Sequence, residues 1–182
     1  RRAGSSGWGS LARARVALRS VLSGCGAAAH IRPQVLAHQG RTSYAFTLPA
    51  DTRTQVFARI LGACWAGGSG SVPPDALDAA IIFAPDGTLV PAALRAVRKG
   101  GRVVCAGIHM STIPAFSYDL LWEERELVSV ANLTRQDGLD FLGLAARMDI
   151  RTTTTRYALQ DANTALDDLR HGRFEGAAVL VP

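Results

Sequence analysis

Residues 22–30 read LSGCGAAAH, and Gly24, Gly26 and Ala29 fall on the spacing G-x-G-x-x-G/A. Between a strand and a helix this spacing has a physical use. The first glycine makes a tight turn, the second lets backbone approach a pyrophosphate, and the third position is small so that helix and strand can pack; Ala is accepted there. The helix N-terminus then offers free N–H groups and a partial positive charge to the phosphates. Ala- and Gly-rich sequence also produces the spacing at the start of an ordinary helix, so the surroundings decide the fold.

Downstream, Ala28, Ile31, Val35 and Leu36 repeat at helical spacing and predict a helix over 27–39, kinked by Pro33, since an interior proline costs about 3 kcal/mol. A strand is expected over Thr42–Phe46, then a helix capped by Asp51, running to about Leu61 and stopped by Gly62. ACWAGG reads as a short strand and turn, and SGSVPPD as a loop. DAAIIFAP is an apolar run too short for a helix and closed by Pro85, the pattern of a strand buried on both faces. Leu89, Val90, Ala93, Leu94 and Val97 mark one helical face, which Gly100 and Gly101 are expected to end. RVVCAG is the next buried strand. A short helix near DLLWEE, a strand ELVSVAN and a helix over 136–148 follow. TTTTRYAL is extended, DANTALDDLRHG is an amphipathic helix ending at Gly172, and AAVLV is a final strand. Strands alternating with helices over short connections predict an α/β fold: a Rossmann-like, doubly wound parallel sheet with helices on both faces. The strand before Gly24 is RVALRSVLS, with Arg19 in the middle of a run expected to be buried.

Bulk properties narrow the function. The chain has 182 residues, 48% of them hydrophobic, enough for one core and too many for global disorder. No stretch is long and apolar enough for a membrane span. Residues 1–50 hold seven Arg and no acid, a charge of +7; residues 51–182 hold thirteen basic and fifteen acidic residues, a charge of −2. A basic arm can attract nucleic acid, but no aromatic interleaving or nucleic-acid motif accompanies it, and no such partner is expected. Nineteen of the 20 basic residues are Arg, which points to a GC-rich coding bias. Residues 1–21 form an atypical basic segment whose composition matches GC-rich DNA read out of frame. Cys25, Cys64 and Cys105 form no C-x-x-C pair. They read as buried free thiols in a reducing, cytoplasmic setting, and no metal site follows from their spacing.

A second test of the opening motif is the residue ending the next strand, where an acid binds the ribose 2′-hydroxyl of NAD. Here the stretch is FTLP, with Thr47 and no carboxylate. An NADP site tolerates this, with Arg53 the nearest cation, so the reading leans to NADP over NAD. Thr47 reads equally well as a turn residue.

From Gly24 onward the chain resembles the cofactor domain of medium-chain, zinc-dependent alcohol dehydrogenases. The likeness is carried by GCGAAAH, ARILGACWAGG, LDAAIIFAP, LRAVRKGGRVVCAGIHMSTIP, LVSVANLTRQD and ALQDANTALDDLRHGRFEGAAVLVP, in that order. The resemblance implies a Rossmann domain over residues 22–150 and a segment, 151–182, that packs on a separate zinc-bearing catalytic domain with no counterpart in this sequence. Zinc and proton relay belong to that other domain, so no catalytic or metal-ligating residue is expected here. By matching motif, Gly24, Gly26 and Ala29 hold the pyrophosphate, Thr47 lies at the ribose, Ala84, Gly107 and Ile108 line the nicotinamide, and Arg135 of NLTR reaches a cofactor phosphate. Arg135 also reads as a solvated helix-start residue, His109 as a loop histidine, His30 as a packed or exposed one, and Glu123 and Glu124 as a solvated helix face. The implied function is the NAD(P)-binding portion of an oxidoreductase passing hydride between an alcohol and the cofactor, inactive alone. The competing reading is a non-catalytic nucleotide- or partner-binding module. A methyltransferase is disfavoured because its strand-end acid is lacking. Without a partner domain, TTTTRYAL and AAVLV are expected to leave open strand edges and to favour homo-oligomers.

Overall fold

The computed structural model describes the backbone of residues 19–23 and residues 30–182 in full. In chain order the elements are β1 (Arg19–Ser23), α1 (Ile31–His38), β2 (Thr42–Thr47), α2 (Thr52–Ile60), β3 (Trp65–Gly68), β4 (Leu77–Ile82), α3 (Leu89–Ala96) and β5 (Val97–Cys105). There follow β6 (Glu126–Ser129), α4 (Arg135–Ala145), β7 (Thr154–Ala158), α5 (Ala162–Arg170) and β8 (Ala177–Val181), with 3₁₀ turns at Tyr118–Leu120 and Leu159–Asp161.

β1 to β6 form one parallel sheet in the order β3-β2-β1-β4-β5-β6. The order reverses beside β1. Right-handed crossovers on either side of that reversal send their helices to opposite faces. The packing agrees, because strand side chains alternate between faces. Tyr44 and Phe46 of β2 join Ala80, Ile82 and Val103 under Val90 and Leu94 of α3. Ala45, between them, packs with Ala58 of α2 on the other face. Val90 and Leu94 are fully buried, worth about 1.5–3 kcal/mol each.

Several expectations are corrected. Arg19 is the first described residue of β1; the rest of the expected strand RVALRSVLS lies outside the described residues. Pro33 is the third residue of α1, in the first turn, where a backbone N–H has no intrahelical partner, so proline fits without a kink. α3 ends at Ala96, before the glycines. Gly100 (φ +66) and Gly101 instead turn an excursion inside β5, where Leu77 pairs with Val97 but Ala79 with Arg102. Its tip is tied by Arg98 to Asp78 at 2.6 Å and by the Gly100 N–H to the Glu123 carbonyl at 2.9 Å. Only a 3₁₀ turn forms near DLLWEE. Glu123 and Glu124 lie beyond it with φ of 68° and 64°, in a turn and not on a helix face. β7 and β8 pair with each other in parallel, Thr154 opposite Ala177 through Ala158 opposite Val181, so each covers one edge of the other.

Candidate functional site

Ser23, Phe46 and Ile82 are level across the sheet, Ser23 pairing with both neighbours, and Ile82 is level with Cys105. The carboxyl ends of β1, β2, β4 and β5 therefore share one rim at the point where the strand order reverses. In open α/β sheets ligands bind in the crevice outside this rim. Gly24, Gly26 and Ala29 fall in the sequence that joins Ser23 to α1, and lie outside the described residues.

Thr47 ends β2 and is buried. Its hydroxyl donates to the Leu48 carbonyl at 3.0 Å and accepts from Gln55 Nε2 at 3.2 Å, so it is engaged within the protein. Leu48, the next residue, is 74% exposed. Ala84 and Gly107 are half-buried in the loops that leave β4 and β5. These loops are bolted together: the Ser111 N–H donates to the Pro85 carbonyl at 3.1 Å, and the Gly87 N–H to Ser111 Oγ at 2.9 Å. A Cβ on Gly107 would come within 3.0 Å of the Phe83 carbonyl oxygen and 3.1 Å of that of His109, so backbone forms the surface here. Ile108 projects beyond it, 91% exposed, and His109 is exposed beside it. This part of the rim is a shelf of open backbone with an exposed isoleucine beyond it. Arg135 is exposed at the first residue of α4, whose N-cap Thr134 and Asp137 form a capping box.

The C-terminal segment reaches the same rim. A cavity of about 300 Å³ lies between the end of β2 with the start of α2 and the loop joining α5 to β8; Thr47, Asp51, Arg53, Phe174 and Glu175 line it. Arg53 Nε pairs with Glu175 Oε1 at 3.0 Å. Burial pushes the Glu175 carboxyl above its ordinary value, Arg53 opposes the shift, and the charge of Asp51 adds to it. Asp51 caps α2, accepting from the Thr54 N–H at 3.0 Å. A second cavity of about 300 Å³ lies beside α3, lined mainly by apolar residues including Phe46, Val72 and Leu89.

Three of these features are not evident in the sequence. Glu175 lies 122 residues after Arg53 in the chain, and only the fold joins them. His30 is 3% exposed, with neither ring nitrogen hydrogen-bonded. Arg32 is also buried, and burial, with the Arg41 charge second, lowers its guanidinium to about 10. An alternating polar pattern around Ile31 gave no hint that the polar members face inward. Cys64 is exposed and Cys105 half-buried, both free; burial pushes the Cys105 thiol up. Among the described residues, no group of three or more His, Cys, Asp or Glu is arranged to hold a metal ion, and no helix is long and apolar enough to cross a membrane.

No protein-family model matches the chain. A Mycobacterium tuberculosis protein named "Probable alcohol dehydrogenase AdhA" is 44% identical over 161 residues, covering 88% of this chain and 46% of that protein. Among solved structures, the alcohol dehydrogenase of the hyperthermophilic archaeon Aeropyrum pernix superposes with a TM-score of 0.81 at 19% identity, over 94% of this chain and 53% of that one. The acetophenone reductase of Geotrichum candidum, solved in complex with NAD, gives 0.80 at 19% identity, over 95% and 51%. The chain thus spans about half the length of the relatives it matches.

Proposed function

We propose that the chain, 44% identical to a protein named an alcohol dehydrogenase, is the nicotinamide-cofactor-binding portion of an alcohol dehydrogenase-like oxidoreductase of the medium-chain, zinc-type family. The observation that carries this is the shared rim at the strand-order reversal, with the G-x-G-x-x-A sequence directly after its central strand. The residues present fit a dinucleotide. By their spacing in the sequence, Gly24, Gly26 and Ala29 would hold the pyrophosphate. The cavity beside Thr47 receives the adenosine ribose, and the Ala84 and Gly107–Ile108 backbone shelf receives the nicotinamide. Arg135 reaches toward a phosphate, as an Arg fork can. When bound, the cofactor supplies the hydride-accepting carbon. This chain's own residues bind it, orient the ring against the rim and exclude water from one face. In an assembled enzyme of this kind, a zinc ion would be held by the portion outside the match, where it would supply Lewis-acid chemistry at the alcohol oxygen. A second copy of the chain is the proposed protein partner, through surface such as the exposed Leu139 and Leu142 of α4.

Energy transfer from Trp65 and Trp122 to reduced nicotinamide tests this reading. NADH should quench the tryptophans saturably, and Gly26→Asp should abolish the effect by placing a carboxylate against the pyrophosphate while leaving the circular dichroism unchanged. Unchanged quenching in the variant would put the cofactor elsewhere.

A further inference from the structure

Dinucleotide folds read the ribose with a carboxylate at the end of the second strand. β2 ends in Thr47 and is followed by Leu48, so that acid is missing. A carboxylate nevertheless stands beside the same strand end. Glu175 comes from the loop between α5 and β8, and its side chain is 19% exposed in the cavity that Thr47 also lines. The loop is held in place. Gly176 adopts φ +79, a Cβ there would clash with the Thr153 carbonyl, and the Ala177 N–H donates to that carbonyl at 3.0 Å. Arg53 Nη2 donates to the Arg173 carbonyl at 3.5 Å.

The charges of the cavity are set against a phosphate. Arg53 lines the cavity at the strand end, and Glu175 pairs with it at 3.0 Å. Asp51 lines the same cavity and its charge acts on Glu175, so the cavity holds two carboxylates and one guanidinium. The neighbouring Arg173 side chain is paired with Asp167 and Asp168, both at 2.8 Å. A 2′-phosphate entering here would have to break the Arg53–Glu175 pair and would lie against uncompensated negative charge.

We propose that Glu175 takes the place of the missing strand-end acid: it accepts the hydrogen bond of the ribose 2′-hydroxyl and, with Asp51, repels a 2′-phosphate, so that the chain selects NAD(H) over NADP(H). This rests on the nicotinamide-cofactor reading above and reverses the lean toward NADP that the bare FTLP stretch suggests. Specificity of this kind combines an attractive contact for one ligand with a repulsive one for its competitor.

Calorimetric titration with NADH and with NADPH tests it on the unmodified chain, on Glu175→Gln and on Arg53→Ala. The unmodified chain should bind NADH at least about tenfold tighter than NADPH, as loss of one charge-assisted contact implies. Glu175→Gln keeps the shape and removes the charge. It should shrink the ratio about tenfold or more, with NADPH tightening as Arg53 is released and NADH weakening. Arg53→Ala leaves Glu175 in place and should keep the preference for NADH. Thermal melts confirm that each variant folds. Equal binding of the two cofactors, a preference for NADPH, or an unchanged ratio in Glu175→Gln would overturn the role of Glu175 and leave the cofactor reading standing. Failure of the folded chain to bind either cofactor would overturn both.

Discussion

His30 sets an imidazole with two unpartnered nitrogens inside the first turn leading to α1, 3% exposed and 6.4 Å from the Phe57 ring. A buried polar group without a hydrogen bond costs about 1–3 kcal/mol of desolvation. His30→Leu, similar in volume and apolar, should therefore raise the urea midpoint by an amount equivalent to about 1–3 kcal/mol. A drop in stability would mean that the ring meets a need the packing does not reveal. At this scale the sequence was least informative. Residues read by local pattern, such as Asp51 as an N-cap, stand where the pattern puts them, because a cap is made by atoms three residues apart. Glu175 could not be read that way. Its partner Arg53 is brought to it by the return of the C-terminal segment, and no local period encodes such a contact. Thr47 lies between these cases: its place at the strand end was legible, but not the engagement of its hydroxyl by Leu48 and Gln55.

At the scale of elements, the apolar runs of β4 and β5 and the amphipathic faces of α3 and α5 carried the fold, since burial on two faces or one leaves a direct mark on composition. Boundaries were legible only where chemistry marks them. Gly62 and Gly172 stop helices, whereas Gly100 and Gly101 serve a strand excursion that looks the same in sequence. The mutual pairing of β7 and β8 is a long-range fact that the runs TTTTRYAL and AAVLV do not announce. α5 is clamped to this small sheet by Tyr157, whose hydroxyl donates to Asp168 Oδ2 at 2.8 Å, while Arg173 pairs with the other Asp168 oxygen at 2.8 Å. The bonds from Arg173, foremost, and from Tyr157 hold the Asp168 carboxyl below its ordinary value. A carboxylate with a depressed folded value contributes stability above its unfolded pKa of about 3.9, and loses it as pH falls through the folded value. Hydrogen exchange should thus show β7 and β8 losing protection below about pH 4 ahead of the six-stranded sheet, and Asp168→Asn should show the weakened protection already at neutral pH. Simultaneous loss in both sheets would tie the small sheet to the large one and contradict this local account.

For the whole molecule, alternation of strands and helices over short connections announced a doubly wound parallel sheet, and the order β3-β2-β1-β4-β5-β6 came only with the structure. The same topology places four strand ends on one rim and leaves Ile108 and Leu48 exposed there, apolar side chains suited to a ligand or a covering surface rather than to water. The purified 182-residue chain is expected to bind cofactor without oxidising alcohols. Alcohol-dependent, chelator-sensitive production of NADH by the pure chain would contradict that division of labour. The most direct test of the central claim is a calorimetric titration of the folded chain with NADH. Saturable heat at one site per chain, absent in Gly26→Asp, is the predicted result; no heat of binding from a chain that melts cooperatively would show that the rim keeps the fold of a cofactor domain without its function.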